Sequence, residues 1–150
     1  MEALGVLARL IGALIAISPF ATRLVGGRLG ALLDHTFAGM CHRLPERSLS
    51  FLGETMPLCS RCVGLGTGLG LGMMIAWPRL SVRTFRVAVT AGAAFLLLEM
   101  TTQDLGWHPV FHATRLLSGW LVAFPIGAAF TQLASGRGFA PVKKLDSANG

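Results

Sequence analysis

Four long blocks of apolar residues, separated by short polar segments, dominate the hydrophobic pattern of the chain. They cover about residues 4–20, 58–77, 85–103 and 114–133. Each is close to the roughly 20 residues that an α-helix needs to cross the hydrocarbon core of a bilayer. A less apolar segment, residues 24–42, places leucines at helical spacing among charged side chains, which is typical of an interfacial helix. The pattern predicts an all-α fold, a transmembrane helical bundle with four spans plus one interfacial helix.

The second block carries a regular series of glycines, at positions 64, 66, 68, 70 and 72. Strict alternation is also a strand pattern, but an isolated strand would leave its backbone polar groups unpaired in lipid. Gly64, Gly68 and Gly72 have the small-residue spacing with which membrane helices approach each other closely. We therefore predict a helix here, and we hypothesise that this glycine face contacts other subunits of a membrane complex.

The composition agrees with a membrane environment. Of 150 residues, 53% are hydrophobic and only 13% are charged, which is too apolar for an ordinary soluble domain. Four spans and their connections use nearly the whole length, so we expect a single membrane domain over residues 1–150, with a flexible tail at 134–150. The net charge of +6 is explained by basic residues that flank spans and meet anionic lipid headgroups. No basic helix with interleaved aromatic residues indicates a nucleic-acid partner.

The distribution of basic residues predicts the orientation of the protein in the membrane. Residues 79–86 contain three arginines and no acidic residue, and the tail adds Arg137, Lys143 and Lys144. Short loops rich in Lys and Arg stay on the cytoplasmic side. Residues 23–61 contain five arginines, but these are spread over a longer segment, so we assign the cytoplasmic side to residues 79–86. We therefore expect a multi-pass protein of the bacterial inner membrane, with both termini cytoplasmic and the cysteines extracytoplasmic.

The candidate chemistry lies around the start of the second block. Cys59 and Cys62 are three residues apart, so on a helix their thiols project from one face. Cys41 and His42 arrive from a separate segment. Three thiols and one imidazole are a donor set that tetrahedral zinc accepts. We predict a metal site formed by Cys41, His42, Cys59 and Cys62.

Two other interpretations of the cysteines stay open. In the first, Cys59 and Cys62 cycle between dithiol and disulfide, and Arg61 stabilises a thiolate. This arrangement is similar to that of membrane disulfide-generating quinone reductases, although the loop between the third and fourth blocks has no cysteine pair. In the second, the cysteines form a structural disulfide or are inert, which an oxidising compartment permits.

Further polar residues should gather at the same end of the bundle. Glu99 lies in the third block, with Gln103 one turn later on the same face. We expect the Glu99 carboxylate to pair with Arg115 or Arg47, or to take up a proton. The structural alternative is an ion pair that only fixes the helix register.

The loop before the fourth block adds Asp104 and two histidines. His108 and His112 are four residues apart, but Pro109 makes a continuous helix across them doubtful. Either histidine has the chemistry of a metal ligand, and we interpret both as ordinary interfacial side chains.

Two regions of the chain resemble the motifs of a known family. Residues 41–48 read CHRLPERS and residues 57–64 read PLCSRCVG, and a weaker motif follows at 99–103 and 115–119. These motifs are similar to those of small prokaryotic multi-span membrane proteins catalogued as domain of unknown function 2085. The resemblance implies a multi-span membrane domain and brings no established activity. An aromatic residue often follows the second cysteine in that family, where this chain has Leu65 and Gly66.

Two functional classes follow from these features. One is a metal-binding or redox-active membrane protein, with zinc as the expected metal and quinone as a cofactor only in the redox version. The other is an accessory subunit of a larger membrane complex, because little chain lies outside the spans to form a substrate pocket. The sequence offers no catalytic base with a clear partner, so we favour a non-enzymatic role and leave open both enzymatic activity and substrate.

Overall fold

Helices account for most of the structure, a computed structural model that describes residues 2–41, 44–75 and 80–140. The helices are α1 (Glu2–Val25), α2 (Gly27–Ala38), α3 (Ser60–Met74), α4 (Val82–Asp104) and α5 (His112–Ala134). Between α2 and α3, a short 3-10 turn, Pro45–Arg47, leads into an antiparallel hairpin of β1 (Ser48–Phe51) and β2 (Glu54–Cys59). The structure is mainly helical, as predicted, but it is not all-α, because it contains this two-stranded sheet.

The four apolar blocks form four helices, but only three of these have the length of a span. α1, α4 and α5 are long and apolar enough to cross a membrane. α3 has 15 residues, which at 1.5 Å per residue give about 22 Å, less than the ~30 Å hydrocarbon core. Its block begins in β2, and residues 76–79 lie outside the described residues. The count of four spans is therefore not confirmed, since the described residues contain three candidate spans.

α3 runs parallel to α5, and the two backbones are in direct contact. A Cβ atom added to Gly64 would meet the carbonyl oxygen of Leu116. One added to Gly72 would meet the carbonyl oxygen of Phe124, and Gly68 lies between these two contacts. Glycine is required because any side chain would hold the helices apart. The glycine face predicted to contact other subunits is thus covered by a helix of the same chain.

α1 packs antiparallel against α3, again through glycine. Gly12 of α1 and Gly70 of α3 contact each other's backbones. Gly5, near the start of α1, lies against Ser135 just after α5. The start of α1 and the end of α5 are therefore neighbours at one end of the bundle, and the cysteines lie at the other end.

α4 packs against α5 along one side. Gly92 contacts the backbone of Leu121, and the other side of α4 exposes large apolar residues, among them Val87, Leu97 and Leu98. Such side chains suit contact with lipid tails, which are as apolar as leucine.

α2 forms the helical part of the segment predicted to be interfacial, residues 24–42. Arg23, near the end of α1, connects α2 to α1 and to the hairpin. The Arg23 guanidinium lies 3.3 Å from the carboxylate of Asp34 in α2, and its Nε donates a 3.1 Å hydrogen bond to the carbonyl of Thr55 in β2. One side chain therefore holds α1, α2 and the hairpin together.

The hairpin covers the cysteine end of the bundle. Met56 and Leu58 of β2 are buried against Val63 of α3. The turn is formed by Leu52 and Gly53, whose φ angles are 54° and 81°, and two positive φ values are characteristic of a type I′ turn. Leucine rarely adopts this conformation, so the segment lacks the usual Asn-Gly signal of a hairpin.

The predicted flexible tail, residues 134–150, is partly built into the fold. The backbone N–H of Ala140 donates a 2.9 Å hydrogen bond to the carbonyl of Leu80. The rings of Phe139 and Phe85 lie 5.7 Å apart between centroids. Residues 135–140 are therefore held against the start of α4, and residues 141–150 lie outside the described residues.

Candidate metal centre

Three cysteines from two separate segments meet at the N-terminal end of α3. Cys41 follows α2, Cys59 is the last residue of β2, and Cys62 lies in the first turn of α3. Their sulfur atoms all lie within 4.8 Å of one another. All three are free thiols and half-buried. The structure thus brings together three of the four predicted ligands, and the fourth, His42, lies outside the described residues.

The donor set fits a thiolate-binding metal such as zinc. Zinc–sulfur bonds are about 2.3 Å long, so two sulfurs of a tetrahedral site lie about 3.8 Å apart. The observed limit of 4.8 Å is about 1 Å longer than this sulfur–sulfur distance. Among the described residues, the cluster consists of Cys41, Cys59 and Cys62.

Backbone N–H groups stabilise negative charge on the sulfurs. Cys59 occupies the N-cap position of α3 with an extended backbone, and its N–H donates a 3.3 Å hydrogen bond to the Sγ of Cys41. The first N–H groups of α3 have no partner within the helix and are available to a neighbouring acceptor. A sulfur that accepts a hydrogen bond from these N–H groups is stabilised as a thiolate, which is the form that binds metals.

The pKa of the Cys59 thiol is lowered below its ordinary value. The main cause is a hydrogen bond from the Cys62 side chain, and the backbone N–H groups of Cys62 and Arg61 and the Cys41 side chain add to it. Partial burial opposes the shift. The lowered pKa favours the thiolate of Cys59, which is the form that attacks electrophiles and binds metals.

Glu99 is 5% exposed and forms an ion pair with Arg61, the residue before Cys62. The expectation that Glu99 pairs with Arg115 or Arg47 was wrong. Arg115 instead donates a 2.7 Å hydrogen bond to the side-chain amide of Gln103. The sequence spacing correctly predicts that Glu99 and Gln103 share one face of α4. The partner of Glu99 could not be predicted in this way, because it depends on which residue of the Cys59–Cys62 turn faces α4.

His112, the first residue of α5, lies beside the Cys59–Cys62 turn, whereas His108 lies in the loop between α4 and α5. The Nδ1 of His112 is 3.3 Å from the hydroxyl of Ser60, and this hydroxyl donates a 3.1 Å hydrogen bond to the carbonyl of Arg47. His108 interacts with the hydroxyl of Thr102, at 2.9 Å. Both therefore have structural partners, and Asp104 is exposed at the end of α4.

A cavity of about 300 Å³ adjoins the three thiols. Besides the cysteines, it is lined by the side chains of Arg47, Arg61 and Arg115. From the sequence, Arg61 was expected to stabilise a thiolate, and Arg115 or Arg47 to pair with Glu99. Their convergence on one cavity was not predicted. They come from the 3-10 turn, from α3 and from α5, so only the packing of these elements unites them.

The chain matches a family model that is described as "Predicted membrane protein (DUF2085)", over residues 41–129. An uncharacterized protein of Methanothermobacter thermautotrophicus is 53% identical over 88 residues, which cover 55% of this chain and 77% of the relative. An uncharacterized protein of Methanocaldococcus jannaschii is 30% identical over 91 residues. The match covers 58% of this chain and 58% of the length of that relative. No solved structure matches the chain significantly.

Proposed function

We propose that this chain, which belongs to the DUF2085 family of predicted membrane proteins, holds a structural or regulatory metal ion, with zinc as the expected metal. The ligands are Cys41, His42, Cys59 and Cys62. The observation that carries the proposal is the convergence of three free thiols, within 4.8 Å, from two segments that are distant in sequence.

A metal ion at this position would join the segment after α2 to the start of α3. Cys41 lies 18 residues before Cys59, and the intervening chain contains the hairpin. Three thiolates and an imidazole fill a tetrahedral coordination sphere, which is typical of structural rather than catalytic zinc. The proposed role is therefore to fix the hairpin over the end of the bundle.

The metal content of the full-length protein, purified in detergent without added metal, tests this role. We expect about one equivalent of zinc, and Cys41→Ser, Cys59→Ser and Cys62→Ser should each lose most of it, because structural zinc is bound tightly only by a complete ligand set. Met40→Ser is the matched control, because it changes the exposed neighbour of Cys41 and should leave the metal bound. Less than about a tenth of an equivalent of any transition metal, with all three thiols open to alkylation, would exclude the site.

The membrane architecture that we propose has four spans, α1, α3, α4 and α5, with α2 at the interface, in one domain over residues 1–150. The short α3 is flanked by α1 and α5, so its ends need not be exposed to lipid. We place both termini on the cytoplasmic side of a cytoplasmic membrane and the cysteines outside. The contact between Gly5 and Ser135 supports a common side for the termini. Relative to the unmodified protein, Ser50→Cys should add one site that reacts with an impermeant maleimide from outside. Arg83→Cys should add one only after permeabilisation.

A second candidate function is thiol–disulfide exchange at Cys59 and Cys62, and the lowered pKa of Cys59 favours it. In this reaction the two thiols would give two electrons and two protons to a quinone, forming one disulfide and one quinol. A disulfide between Cys59 and Cys62 that appears on addition of quinone, and is lost in Cys62→Ser, would support this function over a metal site.

An accessory role in a larger membrane complex stays compatible with either site. Because Gly64, Gly68 and Gly72 pack against α5, an interface with another subunit would use a different surface, and the exposed apolar side of α4 is the one that we propose. Co-migration with larger partners on native gels of source membranes, lost when Leu97 and Leu98 are both changed to serine, would support this role. A single species of monomer size would contradict it.

A further inference from the structure

The cavity beside the cysteine cluster has a strongly basic lining. Met40 and Leu44 lie exposed at its rim, and Arg115 forms its inner part. Arg47 and Arg61 complete the lining together with the three thiols. A path from the surface therefore leads to guanidinium groups on three different elements.

Arg115 is buried and forms no direct ion pair with a described residue, because the nearby Glu99 carboxylate, which attracts it, pairs with Arg61. Its side chain is only 2% exposed, and its hydrogen bond from Nη1 goes to the neutral amide of Gln103. Among the described residues, nothing accepts a hydrogen bond from the Nε of Arg115, and the same holds for the Nε of Arg61. Buried N–H donors without an acceptor are unfavourable, and the Glu99 carboxylate that lies nearby already pairs with Arg61. An acceptor from outside the described chain would therefore stabilise these two Nε–H groups.

The charged side chains around the cavity carry a net positive charge. The three guanidinium groups are opposed by the carboxylate of Glu99, which already pairs with Arg61. A zinc ion with three thiolate ligands would add one net negative charge, so the bound metal does not neutralise the arginines.

We propose that this cavity binds a phosphate group, held by Arg47, Arg61 and Arg115. Guanidinium groups match the oxygens of a phosphate with paired hydrogen bonds, and a volume of about 300 Å³ accommodates a phosphate with a small substituent. The phosphate comes either from a soluble anion or from the headgroup of an anionic lipid. This phosphate site is distinct from the proposed metal centre, and it does not depend on a bound metal.

Binding is tested with the full-length protein in two arms, at constant ionic strength so that screening is unchanged. In the first, inorganic phosphate is titrated calorimetrically into protein in a non-ionic detergent. In the second, protein in nanodiscs with or without phosphatidylglycerol is released and its bound lipids are counted by native mass spectrometry. Phosphate binding in the first arm indicates a soluble anion, and retained phosphatidylglycerol in the second indicates a lipid headgroup.

Arg47→Gln is the key variant, because Arg47 lies on a 3-10 turn and the backbone carbonyl that accepts the Ser60 hydroxyl is retained. We expect it to weaken binding about 10- to 100-fold, the effect of losing a charged hydrogen bond, and Arg115→Gln to weaken it at least as much. Arg86→Gln, at the other end of α4, is the control and should bind normally. Metal content should be unchanged in Arg47→Gln, which separates this site from the metal centre.

Two results would overturn the proposal. One is the absence of binding in both arms at phosphate concentrations well above about 1 mM, where even weak sites fill. The other is equal binding by the unmodified protein and by Arg47→Gln, which would show that the arginines only support the fold.

Discussion

The carboxylate of Glu99 in α4 pairs with the guanidinium of Arg61, which lies between Cys59 and Cys62 in sequence. This ion pair connects the cysteine turn to a helix that otherwise packs along α5. Glu99 is nearly inaccessible and Arg61 is mostly buried, so neither charge is well hydrated. The pair therefore couples the position of the thiols to the packing of α4.

Glu99→Gln should lower the free energy of unfolding by about 3 kcal/mol, because it leaves the charge of Arg61 buried without its partner. Thermal unfolding in detergent measures this change. Glu46→Gln, on the exposed 3-10 turn, is the control, with an expected effect within about 0.5 kcal/mol. Replacing both partners, with Arg61→Met and Glu99→Leu, should recover much of the loss. If Glu99→Gln and the unmodified protein have the same melting temperature, the ion pair does not stabilise the fold.

Much of this arrangement could be predicted from the sequence, because long apolar blocks and the spacing of cysteines are local features. The extents of α4 and α5 are close to the predicted blocks, and the three cysteines do converge. The partner of Glu99 could not be predicted, since it depends on how α4 and α3 rotate about their axes. The hairpin was missed because a leucine occupies a turn position that usually carries asparagine or glycine.

The contact between α3 and α5 gives a second prediction. Gly64→Ala places a methyl group against the carbonyl oxygen of Leu116 and should destabilise the protein by about 1–3 kcal/mol, as overpacking does. Gly66→Ala is the matched control in the same helix, since nothing lies within 4 Å of its added methyl group. It should be neutral or stabilising by up to about 1 kcal/mol. Equal melting temperatures for the two variants would mean that α3 and α5 are not in close contact.

The turn of the hairpin gives a third prediction. Leu52 is 69% exposed and has a positive φ, so Leu52→Asn should raise the free energy of unfolding by about 0.5–1 kcal/mol by relieving the backbone. Leu52→Ile should lower it, because a β-branched residue tolerates this conformation poorly. Denaturation of both variants in detergent measures the difference. The reverse order of stability would show that the turn has another conformation.

The lowered pKa of Cys59 gives a fourth prediction, for the metal-free protein. Cys59 should react with iodoacetamide at pH values well below the ordinary cysteine pKa of about 8.5, because it is already a thiolate there. Since the pKa is lower in the folded state, the thiolate stabilises the fold above the unfolded pKa, and this stabilisation is lost as the pH falls through the folded pKa.

Cys62→Ala removes the main hydrogen-bond donor to Cys59 and should move the pH profile of alkylation to higher pH. Mass spectrometry of the labelled peptide measures the rate at each pH. A profile that is the same in the variant would show that Cys62 does not stabilise the thiolate.

The central claim is that Cys41, Cys59 and Cys62, with His42, hold a metal ion. X-ray absorption at the zinc edge of the full-length protein, purified without added metal, tests it most directly. We expect three sulfur neighbours at about 2.3 Å and one nitrogen at about 2.0–2.1 Å. A metal surrounded only by oxygen and nitrogen atoms, or a protein without metal, would contradict the claim.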